Sequence, residues 1–156
     1  MSEQSAATTE FEVPTPNADL KELDRLVGTW RVSGGTEGTV RYEWMEGGFF
    51  LIQHVDLVQF GMEVKGIEVI GHLHPFGEEE QPEIRSRFCD STGNTLDYVY
   101  EPLPDGSITI WGGEKGSPAF ATNVFSEDLD TVTSEWVYPG GGGYSSKMER
   151  QREESR

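Results

Sequence analysis

The stretch Val40-Arg41-Tyr42-Glu43-Trp44-Met45-Glu46-Gly47-Gly48-Phe49-Phe50-Leu51-Ile52-Gln53-His54-Val55 decides the fold. Side chains on a strand alternate between two faces. Val40, Tyr42 and Trp44 share one parity, and Arg41, Glu43 and Met45 the other. Gly47-Gly48 suits a two-residue primed turn, in which backbone φ is positive. Folding about it sets Glu46 opposite Phe49, Trp44 opposite Leu51, Tyr42 opposite Gln53 and Val40 opposite Val55. The second face pairs Met45 with Phe50, Glu43 with Ile52 and Arg41 with His54. The first face is the inward one, with Gln53 as its polar member. A turn over Gly34–Gly38 extends it by setting Trp30 opposite Tyr42 and Val32 opposite Val40.

Downstream the same period of two continues. Ten segments, from about Thr29–Gly34 to about Tyr144–Arg150, alternate with turn chemistry such as Phe60-Gly61, Gly93-Asn94 and Pro104-Asp105-Gly106. Many short strands without interleaved helices predict an all-β sandwich or barrel. Before them, Asn17 or Asp19 can cap a short helix whose stripe is Leu20, Leu23, Leu26 and Val27. Residues 1–16 hold Pro14 and Pro16 and no periodic apolar pattern, which predicts a flexible tail ahead of one domain over 17–152.

The formal charge is −16, from 28 acidic against 12 basic residues, with only four lysines. Such a surface repels phosphate backbones and anionic lipid heads, so neither nucleic acid nor membrane is an expected partner. It suits plain solubility, and also a high-salt cytoplasm. No apolar run approaches the roughly 20 residues that span a bilayer, and Met1 to Glu10 lack the basic and apolar regions of a secretory signal. Cys89 is the only cysteine, so no intrachain disulfide can form, which fits a cytoplasmic protein. A homodimer stays open.

The short helix followed by Gly28-Thr29-Trp30 resembles the Gly-x-Trp signature of calycins, the superfamily of lipocalins, fatty-acid-binding proteins and nitrobindin-like haem proteins. More closely, Leu23 to Arg150 resembles a bacterial family of uncharacterised calycin-like proteins. That resemblance rests on Leu26-Val27-Gly28-Thr29-Trp30, on Tyr42 to Phe50, and on Phe88-Cys89-Asp90-Ser91-Thr92-Gly93-Asn94. It implies a single antiparallel up-and-down β-barrel of about ten strands. Trp30 would plug the closed end and a late arginine, Arg150, would cover it. It implies no activity. The chain has no His after His74, so the haem ligand of the nitrobindin branch is missing, and the tight Gly34–Gly38 turn leaves no room for a helical lid.

His72-x-His74 places two imidazoles about 7 Å apart on one strand face, with Glu68 on the same face. Some zinc sites begin this way, but no complete ligand set is spelled out, so neither a metal nor a cofactor is expected. The Phe60-Gly61 turn leaves two registers open. A two-residue loop sets Gln53 opposite Glu68 and turns His72 inward, giving an acid/base pair. A loop one residue longer turns Ile67, Val69, Gly71 and Leu73 inward and sets Glu68 against His54 outside. A one-residue slip exchanges the faces, and burial cost favours the longer loop.

Arg85–Glu101 and Cys89–Asp97 pair on one face of the next hairpin, with Ser86–Tyr100 and Phe88–Tyr98 on the other. The first face reads as an exterior ladder of charges; alternatively Arg87 turns inward to hold a ligand carboxylate. Ser91, Ser145 and Ser146 lack a nucleophile elbow, and Gly140–Gly143 joins two strands rather than a strand and a helix, so neither a serine hydrolase nor a phosphate loop is expected.

Trp30, Trp136 and the other strand aromatics mostly share one parity, as a core requires, but a ten-stranded barrel is not filled by its side chains. The expected function is therefore binding of a small hydrophobic or aromatic molecule among Tyr42, Trp44, Gln53, Arg87, Tyr98, Tyr100 and Trp111. The alternative is an enzyme that isomerises, cyclises or hydrates an unsaturated molecule, with Glu68 and His72 catalytic. A barrel serving protein association instead would have a filled interior and a large apolar patch outside.

Overall fold

Leu20, Leu23 and Leu26 recur at every third residue, and the chain forms a 3₁₀ helix, Ala18–Leu26, whose three residues per turn align all three on one buried line. Asn17 caps it by accepting the Asp19 N–H at 3.0 Å. The computed structural model describes residues 13–152. Most of the expected N-terminal tail lies outside the described residues; residues 13–16 are exposed and carry no regular structure.

Ten strands follow: β1 (Gly28–Gly34), β2 (Thr36–Trp44), β3 (Phe50–Gln59), β4 (Met62–His72), β5 (Ile84–Asp90), β6 (Thr95–Pro102), β7 (Ile108–Gly112), β8 (Phe120–Phe125), β9 (Thr131–Val137) and β10 (Tyr144–Gln151). Each pairs antiparallel with its sequence neighbours, and β10 returns to β1, closing an up-and-down barrel. Closure removes both sheet edges. Among the described residues no helix is long and apolar enough to cross a membrane.

The hairpin β2–β3 keeps the expected register, with Val40 facing Val55, Tyr42 facing Gln53 and Trp44 facing Leu51. Two other registers differ from expectation by two residues. Trp30 faces Val40 rather than Tyr42, because the β1–β2 turn centres on Gly35 and β2 runs on through Gly38. There a Cβ would lie 2.2 Å from the Asp56 carbonyl oxygen, so only glycine fits. On β5–β6, Ser86 faces Tyr98 and Arg87 faces Asp97. A shift of two leaves each side chain on its face.

The β3–β4 register overturns the favoured expectation. Gln59 faces Met62 and Gln53 faces Glu68, so the turn is the two residues Phe60 and Gly61, at φ 52° and 77°. Phe60 adopts the left-handed conformation that glycine, asparagine or aspartate usually supplies. Glu68 and Ile70 consequently point inward, while Ile67 and Val69 are exposed.

The helix closes one end of the barrel over Trp30, which is wholly buried. The Trp30 indole N–H donates to the Leu26 carbonyl at 2.8 Å. The Arg150 guanidinium lies 4.3 Å from the centre of the Trp30 ring. It donates to the carbonyls of Val27 and Arg25 at 2.6 and 2.9 Å. Val32, Val40, Leu51, Ile70, Ile84 and Ile108 pack with the helix leucines into the core.

Candidate functional site

The inward side chains do not meet toward the far end of the barrel, where the turns Gly34-Gly35, Phe60-Gly61 and Tyr138–Tyr144 lie. They leave a cavity of about 420 Å³. Its inner part is lined by Tyr42, Gln53, Glu68, Tyr100 and Ile108. Its outer wall is aromatic: Tyr98 lies 5.8 Å from Trp136, Trp136 stacks on Tyr138 at 5.7 Å and 12°, and Tyr138 lies 6.4 Å from Tyr144. Phe60 meets Tyr144 edge-on at 6.5 Å and is 84% exposed at the rim. Two of the five hairpin turns at this end, β3–β4 and β9–β10, thus carry or frame these rim aromatics.

Glu68 is the buried acid of the cavity wall, 5% exposed. Ser86 and Tyr100 donate to it at 2.6 and 2.7 Å, both to Oε2. Among the described residues no hydrogen bond reaches Oε1. Burial pushes the Glu68 carboxyl above its usual range, against the pull of the two hydroxyls. Beside it, the Gln53 amide nitrogen donates to the Tyr42 hydroxyl at 2.8 Å. Burial, then the neighbouring Glu68, raises the hydroxyls of Tyr42, Tyr98 and Tyr100, so all three stay protonated at neutral pH.

Of the residues singled out in the sequence, the structure brings Tyr42, Gln53, Tyr98 and Tyr100 together around the cavity. Three expected residues are elsewhere. Trp44 has inward parity but ends β2 at the closed end, where its indole N–H donates to Asp24 at 2.8 Å and the helix covers it. Arg87 points outward and grips the Asp97 carboxylate through two bonds of 2.8 and 3.0 Å, so it cannot hold a ligand inside. Trp111 also faces out, against Phe120 at 5.2 Å, and donates to Glu101 at 3.0 Å.

The Glu68–His72 pair is not assembled either. Both side chains are inward and buried, but His72 lies under the helix, bonded to Asp19 Oδ1 at 2.9 Å and to the Gln81 carbonyl at 2.8 Å. Burial pulls its pKa down, yet these two bonds with the charges of Asp19 and Glu80 outweigh it and hold the imidazole above its usual value. His74 is exposed beyond the end of β4, so the two histidines do not share a face. His54 meets Glu43 on the exterior at 2.7 Å rather than Glu68.

Sequence reasoning missed Trp136, Tyr138, Tyr144 and Phe60 as lining residues. The available signal was the flank of the glycine run: Trp136, Tyr138 and Tyr144 keep one parity across Gly140–Gly143.

The chain matches no family model and no curated protein. A de novo designed fluorescence-activating β-barrel is similar to it at 18% identity and a TM-score of 0.44, over 83% of this chain and 98% of that one.

Proposed function

We propose that the chain is a calycin-like, cytoplasmic protein that binds a small, largely apolar molecule inside its barrel. The observation that carries this is the cavity of about 420 Å³, walled by aromatic rings and lying within the size range of small-molecule sites. Trp30 beneath Arg150 at the closed end supports the calycin resemblance. Aromatic walls contribute apolar contact area with little side-chain entropy to lose, which favours retention of a flat or aliphatic ligand.

A titration with N-phenyl-1-naphthylamine, a neutral probe that fluoresces in apolar surroundings, tests the proposal. Saturable binding at one site is expected. Trp136→Ala weakens it by about fivefold to tenfold, for the loss of one aromatic wall worth roughly 1 kcal/mol. Trp44→Ala, at the closed end, leaves it unchanged. Absence of saturable binding to the wild type removes the proposal.

A second reading, an enzyme acting in the same cavity, is favoured by one observation, the inward Glu68 with its raised pKa. Without His72 beside it, Glu68 and the tyrosine hydroxyls would have to carry isomerisation, cyclisation or hydration alone. Turnover of an unsaturated probe that is lost in Glu68→Gln would bring this reading forward.

A further inference from the structure

The ionisable groups that face the cavity carry one sign. Glu68 in its wall and Asp90 near its rim are acids, and among the described residues no lysine, arginine or histidine lines it. Asp90 is occupied by its own turn, accepting the N–H and hydroxyl of Thr92 at 2.9 and 2.7 Å. Glu68 is different. Both of its donors, Ser86 and Tyr100, converge on Oε2, and Oε1 accepts nothing from the described residues. No wholly buried polar side-chain atom among the described residues lacks a partner, so Oε1 is open to the cavity rather than sealed in its wall, where a bound molecule can reach it.

Other acceptor groups line the same cavity. Gln53 is the cross-strand neighbour of Glu68, and its amide nitrogen is turned to Tyr42. Its carbonyl oxygen accepts no hydrogen bond from the described residues, and directly opposed residues lie within reach of one shared ligand. The outer wall adds the aromatic rings of Trp136, Tyr138 and Tyr98. Ring faces carry partial negative charge and attract cations. Carboxylate oxygen, amide oxygen and ring faces together form a site for a donor with positive charge. A ligand carboxylate would meet no cation here.

We infer that the molecule the cavity accepts is an organic amine, its ammonium group on Glu68 Oε1 and the Gln53 carbonyl, its apolar body along the Trp136 wall. The inference deepens the binding function proposed above and rests on it. Ammonium supplies the counter-charge that the cavity lining itself lacks. It also reverses the effect of burial on Glu68, so that the bound pair is ionised.

The test is displacement of N-phenyl-1-naphthylamine by three molecules with the same chain: octylamine, 1-octanol and octanoate. At near-neutral pH octylamine should compete at a concentration about tenfold lower than 1-octanol, with octanoate weakest. The preference should persist in about 0.5 M NaCl, which screens the surface charge but not a buried pair. Glu68→Gln, which keeps an oxygen for Ser86 and Tyr100, should cut the amine-to-alcohol ratio by about tenfold. If that variant does not fold, the wild-type series in salt decides. Equal competition by amine and alcohol, tighter binding of octanoate, or a preference that vanishes in salt overturns the amine assignment while leaving the binding cavity standing. Failure of the probe to bind at all overturns both.

Discussion

Replacing Trp30 by alanine should remove most of the stability of the barrel. The ring is wholly buried at the closed end, and truncating an aromatic residue to alanine in a packed core costs about 3–5 kcal/mol. Two further contacts push the figure to the upper part of that range. The Leu26 carbonyl loses the indole N–H at 2.8 Å, and Arg150 loses the ring 4.3 Å from its guanidinium. Trp30→Phe keeps an apolar ring and loses the hydrogen bond, so it should cost about 1–2 kcal/mol. Against a typical total of about 5–15 kcal/mol, the alanine variant sits close to unfolding. The assay is urea denaturation followed by far-ultraviolet circular dichroism, with the midpoint shift read at unchanged slope. A cost below about 1 kcal/mol for Trp30→Ala would refute the role of Trp30 as the plug of the closed end. Equal costs for the phenylalanine and alanine variants would place the whole effect in the hydrogen bond and refute the packing argument.

Glu68, whose pKa is raised by burial, binds its proton more tightly folded than unfolded, so the stability it contributes is present below about pH 4.5 and lost as pH rises through the folded value. Glu68→Gln should therefore become progressively more stable than wild type as pH increases above 4.5, as thermal melts across that range will show. His72, also raised, follows the same sign from 6.5 upward. The wild-type Tm should fall across neutral pH, and His72→Gln should flatten that slope; an unchanged slope would separate His72 from the helix contact. Phe60→Asn relieves the left-handed backbone at φ 52° and should raise stability by about 0.5–1 kcal/mol in the same denaturation assay. Arg87→Ala, on the exterior, should leave both the denaturation midpoint and probe binding unchanged.

Side-chain parity made the inward and outward faces legible without fixing each register. The two-residue slips at β1–β2 and β5–β6 preserve the faces, so Trp30, Tyr98 and Tyr100 point inward as expected. The β3–β4 hairpin exposed the limit. The Phe60-Gly61 turn left two loop lengths open, and burial cost favoured the longer one, which pointed to the wrong face for Glu68. The barrel places Glu68 inside anyway, where Ser86 and Tyr100 from β5 and β6 solvate it. Those partners come from distant segments, and local pattern cannot price them. Height along the barrel was equally hidden. Trp44 and Tyr42 share a parity two residues apart, yet one lies beneath the helix and the other in the cavity. Arg87 and Trp111 follow their outward parity, and Asp97 and Phe120 supply their partners there.

Arg150 bonds to the carbonyls of Arg25 and Val27 across sequence separations of 125 and 123 residues. Every other ladder joins consecutive strands and can zip as a local hairpin. The β1–β10 seam alone must wait until the ends of the chain meet, and that closure carries the largest loop entropy in the molecule. Topology of this kind slows folding, because the distant contacts reward the chain only after the order has been imposed. Before the seam forms, β1 and β10 are two open sheet edges with unpaired backbone groups, the species most prone to pair with another chain. Arg150, seated over Trp30 and bonded to the Arg25 and Val27 carbonyls, ties the two ends of the chain together at the seam whose closure leaves no open edge for a neighbour to pair with.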